Sequence, residues 1–170
     1  MTVLTLRPAT TAADIAAVVD LCWAYRDFLL NFGPAERLIT ETFYPQDKYA
    51  ALMARLPQEH ARPKGIILLA MRDDQPVGCG MSHALTPTDS EIKRVFVTDA
   101  ARGTGAGRAL CTALVDQARA DGFGRVLLDT SVAFAPARAL YLSMGFTERG
   151  PYQDMPALTK DAICFFEMHL

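Results

Sequence analysis

Hydrophobic and polar positions follow two different periods along the chain, one near two residues and one near 3.6 residues. Short apolar, β-branched or aromatic runs predict strands at residues 3–6, 65–71, 77–84, 91–97, 125–130, 146–148 and 162–169. Helical spacing of apolar residues predicts helices from Thr10 or Thr11 to about residue 30, over 45–56, after the glycines at 103–107, and over 137–144. Residues 36–43 are expected to form one helical turn, and residues 57–64 a polar loop.

The order of these elements predicts a mixed sheet. Residues 65–97 contain three strands in a row with short turns between them, as in an antiparallel meander. A helix connects the strand at 91–97 to the strand at 125–130, so these two strands are expected to be parallel, with a right-handed crossover. We therefore expect an α/β (α+β) fold with a mixed central sheet of six to seven strands and helices on both faces. One domain is expected over residues 1–170.

A glycine-rich turn joins the strand at 91–97 to the helix that follows it. The turn consists of Arg102, Gly103, Thr104, Gly105, Ala106, Gly107 and Arg108. Glycines permit positive φ and let the backbone approach a ligand closely. The first turn of a helix presents unpaired N–H groups and the positive end of its dipole. The stretch therefore predicts an anion site, and a phosphate ester is the expected anion.

Two common phosphate motifs are excluded by the residues of this turn. The dinucleotide fingerprint needs a glycine where Arg108 stands, and it normally follows the first strand of a β-α-β unit. A P-loop needs a Gly-Lys-Ser/Thr sequence, which the turn lacks. A tight connection that binds no ligand remains an alternative at this point.

Composition narrows the function classes further. Apolar residues make up 51% of the chain, and the net charge of −2 gives no general attraction to nucleic acid or to an anionic membrane. No apolar run approaches the roughly 18 residues of a membrane span, and no signal peptide is visible, so a cytoplasmic protein is expected. The four cysteines are scattered without metal-ligand spacing, so neither a metal site nor a disulfide framework is expected.

Two motifs resemble those of the GCN5-related N-acetyltransferase (GNAT) superfamily. Arg102-x-x-Gly105-x-Gly107 is similar to the acyl-CoA-binding motif of that superfamily. Ala139-Leu140-Tyr141-x-x-x-Gly145-Phe146 is similar to the motif that follows it. The resemblance covers about residues 77–169 and implies a GNAT-like acyl-CoA N-acyltransferase fold with acetyl-CoA as cosubstrate.

The resemblance also implies where acetyl-CoA binds. Family members hold it where two parallel strands splay apart, and there the backbone of Val95, Phe96 and Val97 pairs with the pantetheine arm. The pyrophosphate then lies on the N–H groups of residues 103–108, and Arg102 and Arg108 add positive charge. Where many members carry an asparagine seven residues before the tyrosine, this chain has Phe134.

Amide formation from a thioester requires a neutral amine. An amine with a pKa near 10.4 costs roughly 4–5 kcal/mol to hold neutral at pH 7. By the resemblance, Glu91 is the first candidate for the base and Asp129 the second, while Tyr141 is the candidate acid for the departing thiolate. Simpler roles are an ion pair of Glu91 with Lys93 or Arg94, a loop-capping Asp129 and a core aromatic at Tyr141.

The acceptor is expected to be a small-molecule amine, because no long basic or acidic docking surface is evident. A protein N-terminus or lysine, or a non-catalytic acyl-CoA-binding module, is the alternative. Candidate acceptor-site residues are Tyr25, Arg26, Tyr44, Tyr49, Tyr152 and Asp154. Neither nucleic acid nor membrane is an expected partner, and a monomer or homodimer is expected. Whether Lys93 or Arg94 fixes the acceptor stays open here.

Overall fold

A seven-stranded sheet runs through the computed structural model, which describes residues 3–170. In chain order the strands are β1 (Leu4–Pro8), β2 (Ile66–Arg72), β3 (Gln75–Ala84), β4 (Asp89–Val97), β5 (Arg125–Ser131), β6 (Thr147–Arg149) and β7 (Ile163–His169). Their spatial order is β1-β2-β3-β4-β5-β7-β6, and the neighbours are antiparallel except for β4 and β5. The predicted mixed sheet and the parallel pair are confirmed.

Helices cover both faces of this sheet, as expected. They are α1 (Ala12–Phe32), α2 (Pro34–Phe43), α3 (Gln46–Glu59), α4 (Ala106–Ala120) and α5 (Ala135–Ser143). A core that includes Val18, Leu56 and Phe96 packs under α1 and α3. A second core, which includes Leu114 and Phe166, packs under α4 and α5. Among residues 3–170, no helix combines the length and the hydropathy that a membrane span requires.

Two helices differ from the prediction. Residues 34–43 form a full helix rather than a single turn: Pro34 suits its first position, and the buried Glu36 and Thr40 pack one face of it against the rest of the fold. Helix α3 continues through Pro57 to Glu59, where a loop was predicted. Leu56 is fully buried, and its carbonyl accepts a hydrogen bond from the backbone of His60. Packing of this last turn therefore outweighs the local disruption by proline.

The parallel pairing between β4 and β5 is short. Only Asp89 to Glu91 pair with Arg125 to Leu127. Beyond that point β5 follows β7 as far as Ser131, whereas β4 stays with β3. The edge of β4 that faces β5 is therefore open from Ile92 onward, next to the start of α4.

A β-bulge lies in the open half of β4. Cys79 stands opposite Phe96 and Met81 opposite Lys93, so two residues of β4, Arg94 and Val95, face the single residue between Cys79 and Met81. Arg94 adopts a φ of 52°, which is uncommon for a residue with a side chain.

The bulge changes which face each side chain of β4 occupies. Ile92 and Val95 are three residues apart, yet both pack in the core under α4, while Phe96 packs under α1. Without the extra residue, strict alternation would place Ile92 and Val95 on opposite faces. The bulge thus places Lys93 and Arg94 together on the α1 side of the sheet, where both line one cavity.

Candidate active site

A groove of about 570 Å³ occupies the space between the splayed strands. It is bounded by β4, the glycine-rich turn, the end of β5 and the start of α5, with aromatic residues of α1 on one side. Nine of the ten predicted cofactor-binding residues line it: Val95, Phe96, Val97, Arg102, Gly103, Gly105, Ala106, Gly107 and Arg108. Thr104 is absent from the lining, and its hydroxyl donates a hydrogen bond to the Ala101 carbonyl at 2.6 Å.

The glycine-rich turn has the backbone geometry of an anion cradle. Gly103 and Gly105 have φ values of 75° and 87°, and a Cβ at either position would meet no atom within 4 Å. Glycine is therefore needed there for backbone conformation rather than for space. Helix α4 begins directly after Gly105 with no acidic residue in its first turn, and within residues 3–170 no side chain caps it. Its first N–H groups are thus available to a phosphate oxygen.

Two arginines flank this cradle. Arg102 forms an ion pair with Asp99 at 2.6 Å, and its guanidinium lies 4.7 Å from the centre of the Phe28 ring. Arg108 donates a hydrogen bond to the Ser143 hydroxyl at 2.7 Å. Both side chains are exposed at the groove, so they add positive charge where the pyrophosphate is expected.

Phe134 closes an aromatic wall along the groove. Its ring lies edge-on to Phe32 with centroids 4.7 Å apart, and 5.7 Å from Phe28. Phe28 and Tyr25 in turn lie 6.3 and 5.4 Å from Phe96. Phe134, which stands where the resemblance would place an asparagine, therefore joins the start of α5 to α1 by apolar contact.

A second, smaller cavity of about 100 Å³ adjoins the groove on the α1 side of the sheet. Four of the six acceptor candidates line it, namely Tyr25, Arg26, Tyr44 and Tyr49. Tyr152 lines neither cavity and donates a hydrogen bond to Glu91. Asp154 is exposed and lines neither cavity. Residues that line both cavities include Lys93, Arg94 and Asp129. The two spaces therefore meet beside the Asp129 carboxylate.

Glu91 is held in a buried charged network. Its side chain is 3% exposed and accepts hydrogen bonds from His83 Nε2 at 2.6 Å and Tyr152 Oη at 2.9 Å, with Lys93 Nζ at 3.0 Å. Burial acts to raise the pKa of Glu91, but these partners outweigh it and lower that pKa to about 2. Glu91 lines neither cavity, and a carboxylate with so low a pKa is poorly matched to proton uptake near pH 7. These observations argue against direct proton abstraction by Glu91.

Asp129 differs from Glu91 in its access to the cavities and in the direction of its pKa shift. It lines both cavities, and its side chain is 25% exposed. Burial raises the pKa of Asp129, although Lys93 Nζ at 3.8 Å acts in the opposite direction. The Tyr152 hydroxyl lies 3.5 Å from Asp129 Oδ2 and links the two carboxylates. Of the two candidate bases, Asp129 is the one that lines the groove and the smaller cavity.

Tyr141 lines the groove from α5. Its ring packs against Phe146 and Phe166, with centroids 5.9 and 5.7 Å away. Burial raises the pKa of Tyr141 well above its usual value, so the hydroxyl keeps its proton at neutral pH. This geometry fits a proton donor and also satisfies the simpler role of a core aromatic.

Sequence reasoning missed three features of the site. His83 stands directly opposite Glu91 in the β3–β4 pair, a position that the register of the predicted hairpin would have shown. The Ser131 hydroxyl donates to Glu36 at 2.6 Å, a contact between residues too distant in the chain for any local pattern to indicate. The left-handed backbone of Arg94 also had no sequence signal, since arginine has no preference for it.

Comparison with known proteins identifies the class. The model of the acetyltransferase (GNAT) family matches residues 29–146, which is well over half of the chain. The chain therefore belongs to the GNAT family, and it is an acetyl-CoA-dependent N-acetyltransferase. The expected fold and enzyme class are confirmed.

Individual relatives give a finer comparison. An IAA acetyltransferase from Azospirillum brasilense is 42% identical over 128 residues, which are 71% of this chain and 84% of that protein. A ribosomal-protein-alanine N-acetyltransferase from Brucella melitensis has a similar structure, with a TM-score of 0.68 and 25% identity over 98% of this chain and 99% of that chain. A PaiA N-acetyltransferase from Thermoplasma acidophilum, in complex with coenzyme A, gives a TM-score of 0.69 at 13% identity over 99% of both chains.

Replacement of Glu91 by glutamine is expected to destabilise the protein by about 3 kcal/mol at pH 7, because it removes the charge of a buried carboxylate that the partly buried Lys93 and His83 contact. The folded-state pKa of Glu91 is depressed from 4.5 to about 2. Its stabilisation is therefore complete above about pH 4.5 and is lost as the pH falls toward 2. Urea unfolding of both proteins at pH 7 and pH 3 should show a smaller difference at pH 3.

Glu41→Gln is the matched control for this experiment. Glu41 is 57% exposed and pairs with Arg37 only at 3.8 Å, so its replacement should change stability by less than about 0.5 kcal/mol. If Glu91→Gln has an effect as small as Glu41→Gln, the buried network does not stabilise the fold.

Proposed function

We propose that this enzyme transfers the acetyl group of acetyl-CoA to the primary amine of a small molecule by direct attack. The observation that carries the proposal is the position of Asp129, at the junction of the groove with the smaller cavity. The groove, with a volume of about 570 Å³, is lined as a CoA ester requires, and the smaller cavity adjoins it. A carboxylate at their junction can receive the proton that the amine loses.

The small cavity supports a small acceptor. It has a volume of about 100 Å³ and is walled by Tyr25, Tyr44 and Tyr49. The IAA acetyltransferase relative is consistent with this acceptor class. A protein N-terminus is the second candidate, because the chain also resembles a ribosomal-protein-alanine N-acetyltransferase over nearly its full length.

The cradle and groove fit acetyl-CoA on several independent observations. The first N–H groups of α4 have no side-chain cap among the described residues, and Arg102 and Arg108 stand beside them. The open edge of β4 at Val95 to Val97 can pair with the amides of pantetheine as a neighbouring strand would. When bound, acetyl-CoA supplies a thioester carbonyl and a thiolate leaving group.

The residues around Asp129 prepare it for proton transfer. Burial acts to lower the pKa of Lys93, but the nearby carboxylates, Asp129 first, raise it above its usual value, so Lys93 stays charged. Tyr152 donates to Glu91 and lies close to Asp129, and Glu91 contacts the partly exposed His83. The hydrogen-bonded groups Tyr152, Glu91 and His83 offer a route by which the proton can pass from Asp129 toward solvent.

The reaction balances with these residues in place. A bond forms between the amine nitrogen and the acetyl carbon, and the bond from that carbon to sulfur breaks. Asp129 accepts the proton from nitrogen, and Tyr141 donates one to the departing sulfur. A backbone N–H near Val95 is the proposed donor to the carbonyl oxygen.

The direct test is release of free CoA thiol from acetyl-CoA in the presence of a panel of primary amines and N-terminal peptides. We expect amine-dependent release that saturates with small amines and is weaker with peptides, because the acceptor cavity is small. Faster release with peptides would favour the protein acceptor. Tight acetyl-CoA binding without release from any amine would refute the proposed acceptor class.

A further inference from the structure

Two of the arginines that line the small cavity form no ion pair with an acidic side chain among the described residues. Arg94 Nε is buried and has no hydrogen-bond partner within the described residues, and its guanidinium lies 5.7 Å from the Tyr44 ring. Arg26 donates through Nε to the Tyr44 carbonyl at 3.0 Å, with its guanidinium 5.9 Å from the Trp23 and Tyr49 rings. In the part of the chain that the structure describes, neither arginine forms an ion pair.

The other charged groups of this cavity already have partners. Lys93 contacts Glu91 at 3.0 Å and Asp129 at 3.8 Å. Glu36 also lines the cavity, and its carboxylate accepts the hydroxyl of Ser131 at 2.6 Å. Arg26 and Arg94 are therefore the cations of this cavity that lack an ion pair, and Glu36 is the carboxylate there whose described contact is with a neutral hydroxyl. The buried Nε of Arg94 has no hydrogen-bond partner in the described residues, which is costly unless a ligand supplies an acceptor.

The backbone conformation of Arg94 indicates a functional role for its side chain. The bulge and its left-handed φ of 52° place this side chain on the same face as Lys93, where it lines the cavity. A sparsely populated backbone conformation persists only when surrounding structure holds it, and such positions concentrate at functional sites. Arg94 also lines the groove, so it stands at the border between the two cavities.

We propose that the acceptor carries a carboxylate as well as its amine, and that Arg94 binds that carboxylate with Arg26 beside it. A planar guanidinium binds a carboxylate through two parallel hydrogen bonds, which fixes the orientation of the ligand. The substrate class is therefore a small amino acid, held by its carboxylate at Arg94 while its amine faces Asp129. This inference depends on the proposed function, since it names the acceptor of the same site.

The test compares matched pairs of amines by thiol release. Each pair consists of an α-, β- or ω-amino acid and its carboxamide, and simple alkylamines are included as acceptors without a carboxylate. For the pair that is turned over best, the wild-type kcat/KM is expected to favour the acid by about 10- to 100-fold, as hydrogen bonds to a charged group typically provide. Arg94→Gln should reduce this ratio to near one, mainly through KM, without changing acetyl-CoA affinity.

Two further variants keep the experiment interpretable. Arg94→Lys retains the charge but not the planar fork, so it should keep part of the preference even if Arg94→Gln folds poorly. Arg37→Gln removes one positive charge from an arginine that is 53% exposed on α2 and lines neither cavity, so the full preference should remain. Thermal unfolding of each variant reports whether its fold is intact.

The outcomes separate the two proposals. A ratio near one in the wild type, an unchanged ratio in Arg94→Gln, or turnover of alkylamines in preference to amino acids would overturn the carboxylate proposal while the amine acceptor stands. Thiol release with none of these amines would overturn both.

Discussion

Gly105→Glu is expected to lower the affinity for acetyl-CoA by at least about 100-fold, since two effects combine. Gly105 has a φ of 87°, which a residue with a Cβ adopts only at a cost of about 1–2 kcal/mol. The new carboxylate would also stand directly before the first turn of α4, where the pyrophosphate is expected to bind. Isothermal titration of acetyl-CoA into the folded variant measures the loss.

Gly122→Glu provides a closely matched control. Gly122 has a φ of 84°, and a Cβ there also meets no atom within 4 Å, but it follows the C-terminal end of the same helix. The two substitutions therefore share the backbone strain and the added charge and differ in their distance from the cradle. We expect Gly122→Glu to destabilise the protein and leave acetyl-CoA affinity unchanged. Equal affinity losses in both variants would mean that strain, and not the anion site, is responsible.

Asp129→Asn is expected to lower kcat/KM for the amine by about 10²- to 10⁴-fold, the usual contribution of a positioned general base. The side chain keeps its shape, so acetyl-CoA affinity should change little. In the wild type, kcat/KM should rise with pH as Asp129 loses its proton, over a range above the ordinary pKa of a carboxyl group, because burial raises that of Asp129. The asparagine variant should lack this rise.

Glu91→Gln is the comparison that assigns the base. Glu91 has a pKa of about 2, so it is ionised at neutral pH, and it lines neither cavity; its replacement should therefore reduce kcat/KM less than Asp129→Asn does. It should also leave the pH dependence in place. A larger loss in folded Glu91→Gln, together with a flattened pH profile, would return the role of base to Glu91.

Much of the fold is predictable because most of its strands and helices are determined by the residues within each element. The β-branched run of β4 and the glycines before α4 each have a direct conformational reason, and both elements lie where they were predicted. The exceptions are α2 and the last turn of α3. There the choice between helix and loop depends on burial of Leu56 and on neighbouring helices, which a single sequence does not show.

The candidate site is likewise predictable from the sequence only in part. The cradle could be located from its run of glycines, since Gly103 and Gly105 adopt a positive φ that few other residues tolerate. Which of two carboxylates faces the substrates depends on a strand splay and on partners from distant segments. Tyr152 is 61 residues from Glu91 in the chain, and its contact emerges only when the C-terminal loop folds over the sheet. The arginines of the small cavity could be listed from the sequence, but their lack of acidic partners could not.

The bulge in β4 separates the two recognition tasks that we propose for this strand. Its backbone edge beyond Glu91 is not paired with β5, and the side chains of Lys93 and Arg94 line the cavity on the α1 side. Backbone recognition tolerates changes of residue type, whereas side-chain recognition does not. New acceptor preferences could therefore arise by single substitutions at position 94 without loss of the acyl donor. The backbone of the strand can thus stay constant while its side chains vary, which offers a starting point for directed evolution of substrate scope.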